Sequence, residues 1–178
     1  MPQTAVTTAP LAGVPGQIAD LYTALNGGID SHTSGEASAE IPFGVMVIRG
    51  ATDNACLNLH TSAAAMEQLL LGITVRSNEF SVGLEIGPLG GLLPGCTFGV
   101  GKVGRFWVRV EDAVDPGDPV RVRAVVAGAE VKGAFRTAAD STDCIDISAF
   151  AKWLTSAGAG EMAEVWINMV NGALANAD

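Results

Sequence analysis

Over most of this chain, apolar side chains recur at every second position in short runs, and glycine, proline or acidic residues separate the runs. Side chains on a strand alternate between its two faces, so a period of two marks strands with one buried face. "LGITVRS" places Leu71, Ile73 and Val75 on one face, with Thr74 and Arg76 on the other. "FSVGLEIG" sets Phe80, Val82, Leu84 and Ile86 against Ser81 and Glu85, and "EMAEVWINMV" aligns Ala163, Val165, Ile167 and Met169. "IPFGVMVIRG" is apolar on both faces, as a strand covered on both sides would be. Such runs, repeated every ten to fifteen residues or so, predict an all-β fold of antiparallel strands in a sandwich or barrel. The 22 glycines and 8 prolines agree, because long helices tolerate few of either.

Two segments depart from the pattern. Residues 1 to about 16 are small, Thr- and Pro-containing and aperiodic, which predicts an extended arm. After it, Ile18, Leu21, Tyr22 and Leu25 fit either a short helix or a docked extended segment. The second departure is "TSAAAMEQLL", residues 61–70, whose alanines and capping Thr61 or Ser62 predict one short helix. The chain thus divides into an arm and connecting segment over 1–40 and a β domain over 41–178.

"GRFWVRVEDAVDPGDPVRVR" reads as a hairpin. Phe106, Val108 and Val110 face inward on its first strand, and Val120, Val122 and Ala124 on its second; "DPGD" supplies turn chemistry between them. Arg105, Trp107, Arg109 and Glu111 then face outward, as do Arg121 and Arg123. Trp166 repeats the pattern, sharing a face with Glu164 and Asn168. A tryptophan among charges is either covered by a loop or an arginine stem, or it anchors an interface, where tryptophan and arginine are enriched.

Chemical motifs are weak throughout. "GVGKVG" has the GxGxxG form, but a strand follows it where a dinucleotide site needs a helix N-terminus, so it reads as a glycine-rich turn. Cys96 and Val103 break a phosphate-binding loop at the positions that would need Gly and Ser or Thr. Glu111, Asp112, Asp115 and Asp118 lack calcium-loop spacing and read as a solvated turn, laced to nearby arginines by individually weak ion pairs. Cys56, Cys96 and Cys144 form no paired motif, which indicates reduced thiols and no zinc site. Cys56 with His60 lacks an orienting acid, and His32 sits in a Ser/Gly-rich loop, so no catalytic group, metal or cofactor is expected. A net charge of −9 with ten basic residues disfavours nucleic acid and anionic membrane. No secretory signal or membrane span is legible.

Taken in order, "PGQIADL", "IPFGVMVIRG", "LGITVRS", "GKVGRFWVRVEDAVDPGDPVRVR" and "AKWLTSAGAGEMAEVWIN" resemble the structural cement, or capsid decoration, proteins of tailed bacteriophages. The resemblance spans Gly16 to Asn168, and its most specific part is the run from Trp107 to Asp118 followed by the "WLTSA" hairpin. It implies a jelly-roll-like β-sandwich that binds the outer surface of an assembled head and bridges major capsid protein subunits. Assembly would take place in the host cytoplasm. It also implies self-association, as a homodimer in preference to a homotrimer, and no enzymatic activity. Candidate contacts are Ile18, Leu21 and Tyr22 in the arm and Arg105, Trp107, Arg109 and Trp166 on the tryptophan-bearing faces. The competing reading is a jelly-roll module for a carbohydrate or receptor, against which the single tyrosine counts.

Overall fold

The computed structural model describes residues 13–20, 28–52, 54–58, 70–77, 86–87, 90–126, 130–140 and 143–169. Ten strands occur among them: β1 (Gly28–Ser34), β2 (Met46–Arg49), β3 (Ala55–Asn58), β4 (Leu70–Thr74), β5 (Thr97–Arg109), β6 (Arg121–Arg123), β7 (Phe135–Arg136), β8 (Cys144–Asp146), β9 (Ala151–Trp153) and β10 (Met162–Asn168). The all-β expectation is met, and no helix occurs among the described residues. Residues 59–69 lie outside them, and Leu70, assigned from sequence to the helix, opens β4. Phe80, Val82 and Leu84 also lie outside the described residues, while Ile86 forms an isolated bridge to Leu92.

Seven strands form one sheet in the order β1-β3-β2-β4-β5-β10-β9, and a further β1–β5 pairing closes the first five into a barrel. β1 and β3 run parallel, and the other pairs in this sheet are antiparallel. A separate three-stranded sheet has the order β7-β6-β8. The described topology is therefore a closed barrel with a two-strand extension and a second small sheet.

β5 joins these parts. Its first half pairs with β1 on one edge and β4 on the other, while Val103 to Arg109 pairs with β10. The β1 register skips Lys102, passing from Gly28↔Val103 to Ile29↔Gly101. Such a bulge bends a strand and redirects its side chains. Ahead of it Phe98 and Val100 enter one core cluster with Val47, Cys56 and Leu71. Beyond it Phe106, Val108 and Val110 enter a larger one with Val122, Ile145, Trp153 and Val165. "GVGKVG" is therefore part of strand β5, contrary to its reading as a turn. Its glycines serve packing: a β-carbon on Gly101 would lie 2.3 Å from Cζ of Phe106, so only glycine admits the ring.

β2 is buried on both faces, as its sequence predicted: Val47 lies in the smaller cluster, Met46 and Ile48 in the larger. Burial of each such side chain contributes about 1.5–3 kcal/mol. Trp153 is a core residue at 2% exposure, edge-on to Phe135 with ring centroids 6.3 Å apart, and its Nε1 donates to the Pro119 carbonyl.

The 104–123 hairpin is not formed. Asp115 to Asp118 do make the turn, with the Asp118 amide donating to the Asp115 carbonyl and Gly117 at φ +104°. Yet β5 pairs with β10 and β6 pairs with β7 and β8, so the turn carries the chain from one sheet to the other. The "WLTSA" hairpin is present as β9–β10, with Val165↔Trp153 and Ile167↔Ala151.

Candidate interaction surface

On β5 the inward and outward faces fall where the alternation puts them. Phe106, Val108 and Val110 are buried, Arg105 and Trp107 are half-buried and Arg109 is exposed. The antiparallel register sets Trp166 opposite Arg105 and Glu164 opposite Trp107, with Lys152 beside Trp166 on β9. Directly opposed residues share a face. One surface thus carries Arg105, Trp107, Glu164, Trp166 and Lys152.

Both tryptophans on this face are partly covered by the chain itself. Lys152 places its ammonium 5.0 Å from the centre of the Trp166 ring, a cation–π contact. Trp107 is covered by segment 13–20, which adds to the edge of β5 as a short antiparallel piece. The Gly16 amide donates to the Trp107 carbonyl, the Trp107 amide to the Gln17 carbonyl and the Ala19 amide to the Arg105 carbonyl, at 2.8–2.9 Å. Gly16 is held on its other side as well, its carbonyl accepting from the Arg76 amide at 2.8 Å. It adopts φ +78°, and a β-carbon there would lie 2.6 Å from the Thr74 carbonyl oxygen, so the position requires glycine.

Ile18 bridges to Phe106 and packs at the margin of the larger core cluster. Leu21 and Tyr22 lie outside the described residues. Arg105 pairs with Glu164 through its Nε and with Asp20 at 3.4 Å; the Glu164 contact raises the arginine above its ordinary value. Arg109 meets no carboxylate among the described residues and instead borders an open groove of about 860 Å³. Sequence reasoning missed Gly13, Gln17 and Lys152 as the residues that cover the tryptophans. Lys152 had a signal, since period two places it opposite the buried Trp153; Gly13 had none.

The acidic turn is tied down more firmly than a solvated loop. Arg123, expected outward, is 3% exposed. Its Nε donates to both oxygens of Glu111 at 2.8–2.9 Å, and its Nη1 meets Glu130 at 3.0 Å and Asp140 at 2.9 Å. Arg136 also bonds Glu111, at 3.0 Å, and Asp112 accepts from the Thr137 and Ala138 amides. The alternation fails at Arg123 because carboxylates from three segments, Glu111, Glu130 and Asp140, close over it. Burial raises the Glu111 carboxyl, and the Arg123 bonds oppose that rise.

The three cysteines are free. Burial, helped by the Glu36 charge, pushes the Cys56 thiol up to about 12, so it stays protonated and is no nucleophile. His60 lies outside the described residues, and His32, read from sequence as a loop residue, lies instead in strand β1 opposite Phe98. No group of three or more potential metal ligands occurs among the described residues.

Residues 1–168 match the family described as Structural cement protein (E217 gp24/Pam3 gp6). The chain belongs to this phage cement family. Its role is accordingly that of a structural cement protein of a phage capsid, a component of the virion. A chain from the solved structure "The capsid of Myoviridae Phage XM1" shares its fold, with a TM-score of 0.63 at 19% identity over 93% of this chain and 96% of that chain. No curated protein matches significantly.

Proposed function

We propose that this protein binds the outer surface of a tailed-phage head, after assembly in the host cytoplasm, and ties neighbouring major capsid protein subunits together against pressure from within. Membership of the cement family over residues 1–168 carries the reading. The physical features agree with it. A chain of net charge −9 suits the side of a shell away from packaged DNA. Many copies on one lattice add their contacts by avidity, so each contact can be modest.

The contact residues in this reading are Arg105, Trp107, Arg109 and Trp166 of the β5/β10 face, together with Ile18, Leu21 and Tyr22. Half-buried tryptophans beside arginines have the composition of interface anchors. Residues 1–40 act as the arm and connecting part of the protein and 41–178 as its β domain, with β1 of the former woven into the barrel. The jelly-roll relation and a short helix over 61–70 remain part of this reading. So do self-association as a homodimer, the absence of enzymatic activity and the lack of nucleic-acid or membrane partners.

Expanded heads lacking the cement protein supply the test. Purified protein should co-sediment with them and raise the temperature at which they release DNA. Heads that neither bind it nor gain stability would overturn the proposal, and binding to a glycan array instead would favour a receptor module.

A further inference from the structure

The surface feature least explained by folding is the groove beside Arg109. It is open, holds about 860 Å³, and is bordered by Arg76, Arg109, Arg123 and Arg136 with Glu111 and Glu130. Both glutamates are engaged by Arg123, and Glu111 by Arg136 as well. Arg76 and Arg109 are exposed, and neither meets a carboxylate among the described residues. By contrast, Arg105, Arg121, Arg123 and Arg136 each do. Two guanidinium groups without a carboxylate among the described residues thus border one groove, in a chain of net charge −9; Arg49, which does not line the groove, shares that state.

The apolar surface gathers at the same place. Val14 at 48% and Val131 at 41% are the exposed large apolar side chains among the described residues. Val131 lines the groove; Val14 lines a smaller recess that shares Arg76 with it. Arg76 lies over the Phe43 ring, 5.2 Å from its centre, which holds the guanidinium in place beside the groove. Arginine presents a planar fork that suits a carboxylate, and fixed arginine next to aromatic and aliphatic surface is the composition of an interface centre.

We propose that this groove docks an extended acidic segment of the capsid shell protein, with carboxylates on Arg76 and Arg109 and apolar side chains against Val131 and Val14. The proposal rests on the capsid role above and deepens it by naming the chemistry of the partner. A short acidic segment meets only the groove, whereas nucleic acid would run its phosphates along the acidic body of the chain as well.

The experiment compares wild-type protein with the double variant Arg76→Glu/Arg109→Glu and its conservative counterpart Arg76→Lys/Arg109→Lys. Both positions are exposed, so thermal melts should be nearly unchanged. Titration onto cement-free expanded heads should show affinity weakened about tenfold or more by the glutamate pair and much less by the lysine pair. A fluorescein-labelled Asp-Leu-Glu-Leu-Asp peptide should bind wild-type protein, with an affinity that falls as salt rises, and should not bind the glutamate pair. Equal head binding by wild type and the glutamate pair overturns the proposal. So does unchanged head binding with an altered oligomeric mass, which would make a second copy the occupant. Wild-type protein that fails on heads yet binds the peptide would sink the capsid role while leaving the groove's preference for acidic segments standing.

Discussion

A β-carbon placed on Gly13 would lie 2.3 Å from Cδ1 of Trp107, so glycine and indole ring touch with no room for any side chain between them. The tryptophan that the alternation left among charges has its cover inside the same chain. That cover belongs to the segment whose backbone also completes the edge of β5.

Gly13→Val therefore has to displace either the ring or the segment. The barrel does not depend on this contact, so residues 13–20 should open while the rest stays folded. Limited proteolysis would show faster cleavage in this segment, with the thermal midpoint lowered by a few degrees, roughly the effect of 1 kcal/mol. Trp107→Ala should behave alike and weaken head binding more than folding; collapse of the whole fold would make Trp107 a core residue.

Arg123→Met removes a nearly buried cation from between Glu111, Glu130 and Asp140. Breaking such a cluster on one side leaves uncompensated carboxylates, and the expected loss is about 3–5 kcal/mol. Denaturant titration measures it. Adding Glu111→Gln should recover part of the loss, because one stranded charge is then gone.

His32 predicts a pH dependence. It is 9% exposed. Burial lowers its pKa, with the positive charges of Lys102 and Arg49 acting the same way and the Asn54 backbone and Asp30 opposing. A histidine depressed in the folded state binds fewer protons than in the unfolded one. Stability should thus be full above about pH 6.5 and fall as pH drops below it, by at most about 1.4 kcal/mol per pH unit. Glu111 is raised, so its contribution grows as pH falls; Asp30 and Asp146 are lowered and lose theirs only below about pH 4. Among the described residues, the window near pH 6 belongs to His32. Urea titrations at pH 7.5 and 5.5 should differ for wild type, and His32→Gln should flatten the difference.

Cys56 should resist iodoacetamide in native protein at pH 8 and react once guanidinium unfolds the chain, because its thiol is pushed up to about 12. Peptide mass spectrometry reads this directly. Labelling without denaturant would mean that the barrel opens between β2 and β3.

The faces of β5, β2 and β10 were legible in the sequence because alternation is a local property of each strand. Pairing is not local. "DPGD" specified its turn correctly, but the same turn can join paired strands or pass between sheets, and here the long β5 is already occupied by β10 and by residues 16–19. Arg123 misled for a related reason: polar character marks the outer face of a strand, yet connecting segments can bury that face if they bring carboxylates with them. The glycines of "GVGKVG" were visible, but their purpose lay in Phe106, which crosses back over Gly101. As for the candidate contacts, the alternation located Arg105, Trp107 and Trp166 on one surface. It placed Lys152 on the face opposite Trp153 but carried no sign that Gly13 would lie against Trp107.

Because segment 13–20 runs antiparallel along β5, a pull on the chain ahead of Gly13 acts along the line of that pairing. The Gly16–Trp107, Trp107–Gln17 and Ala19–Arg105 hydrogen bonds would then share the load side by side instead of peeling in turn. The load passes into the one strand common to the barrel and its β10–β9 extension. On a shell that swells from within, that is the difference between a rivet and a strip of tape.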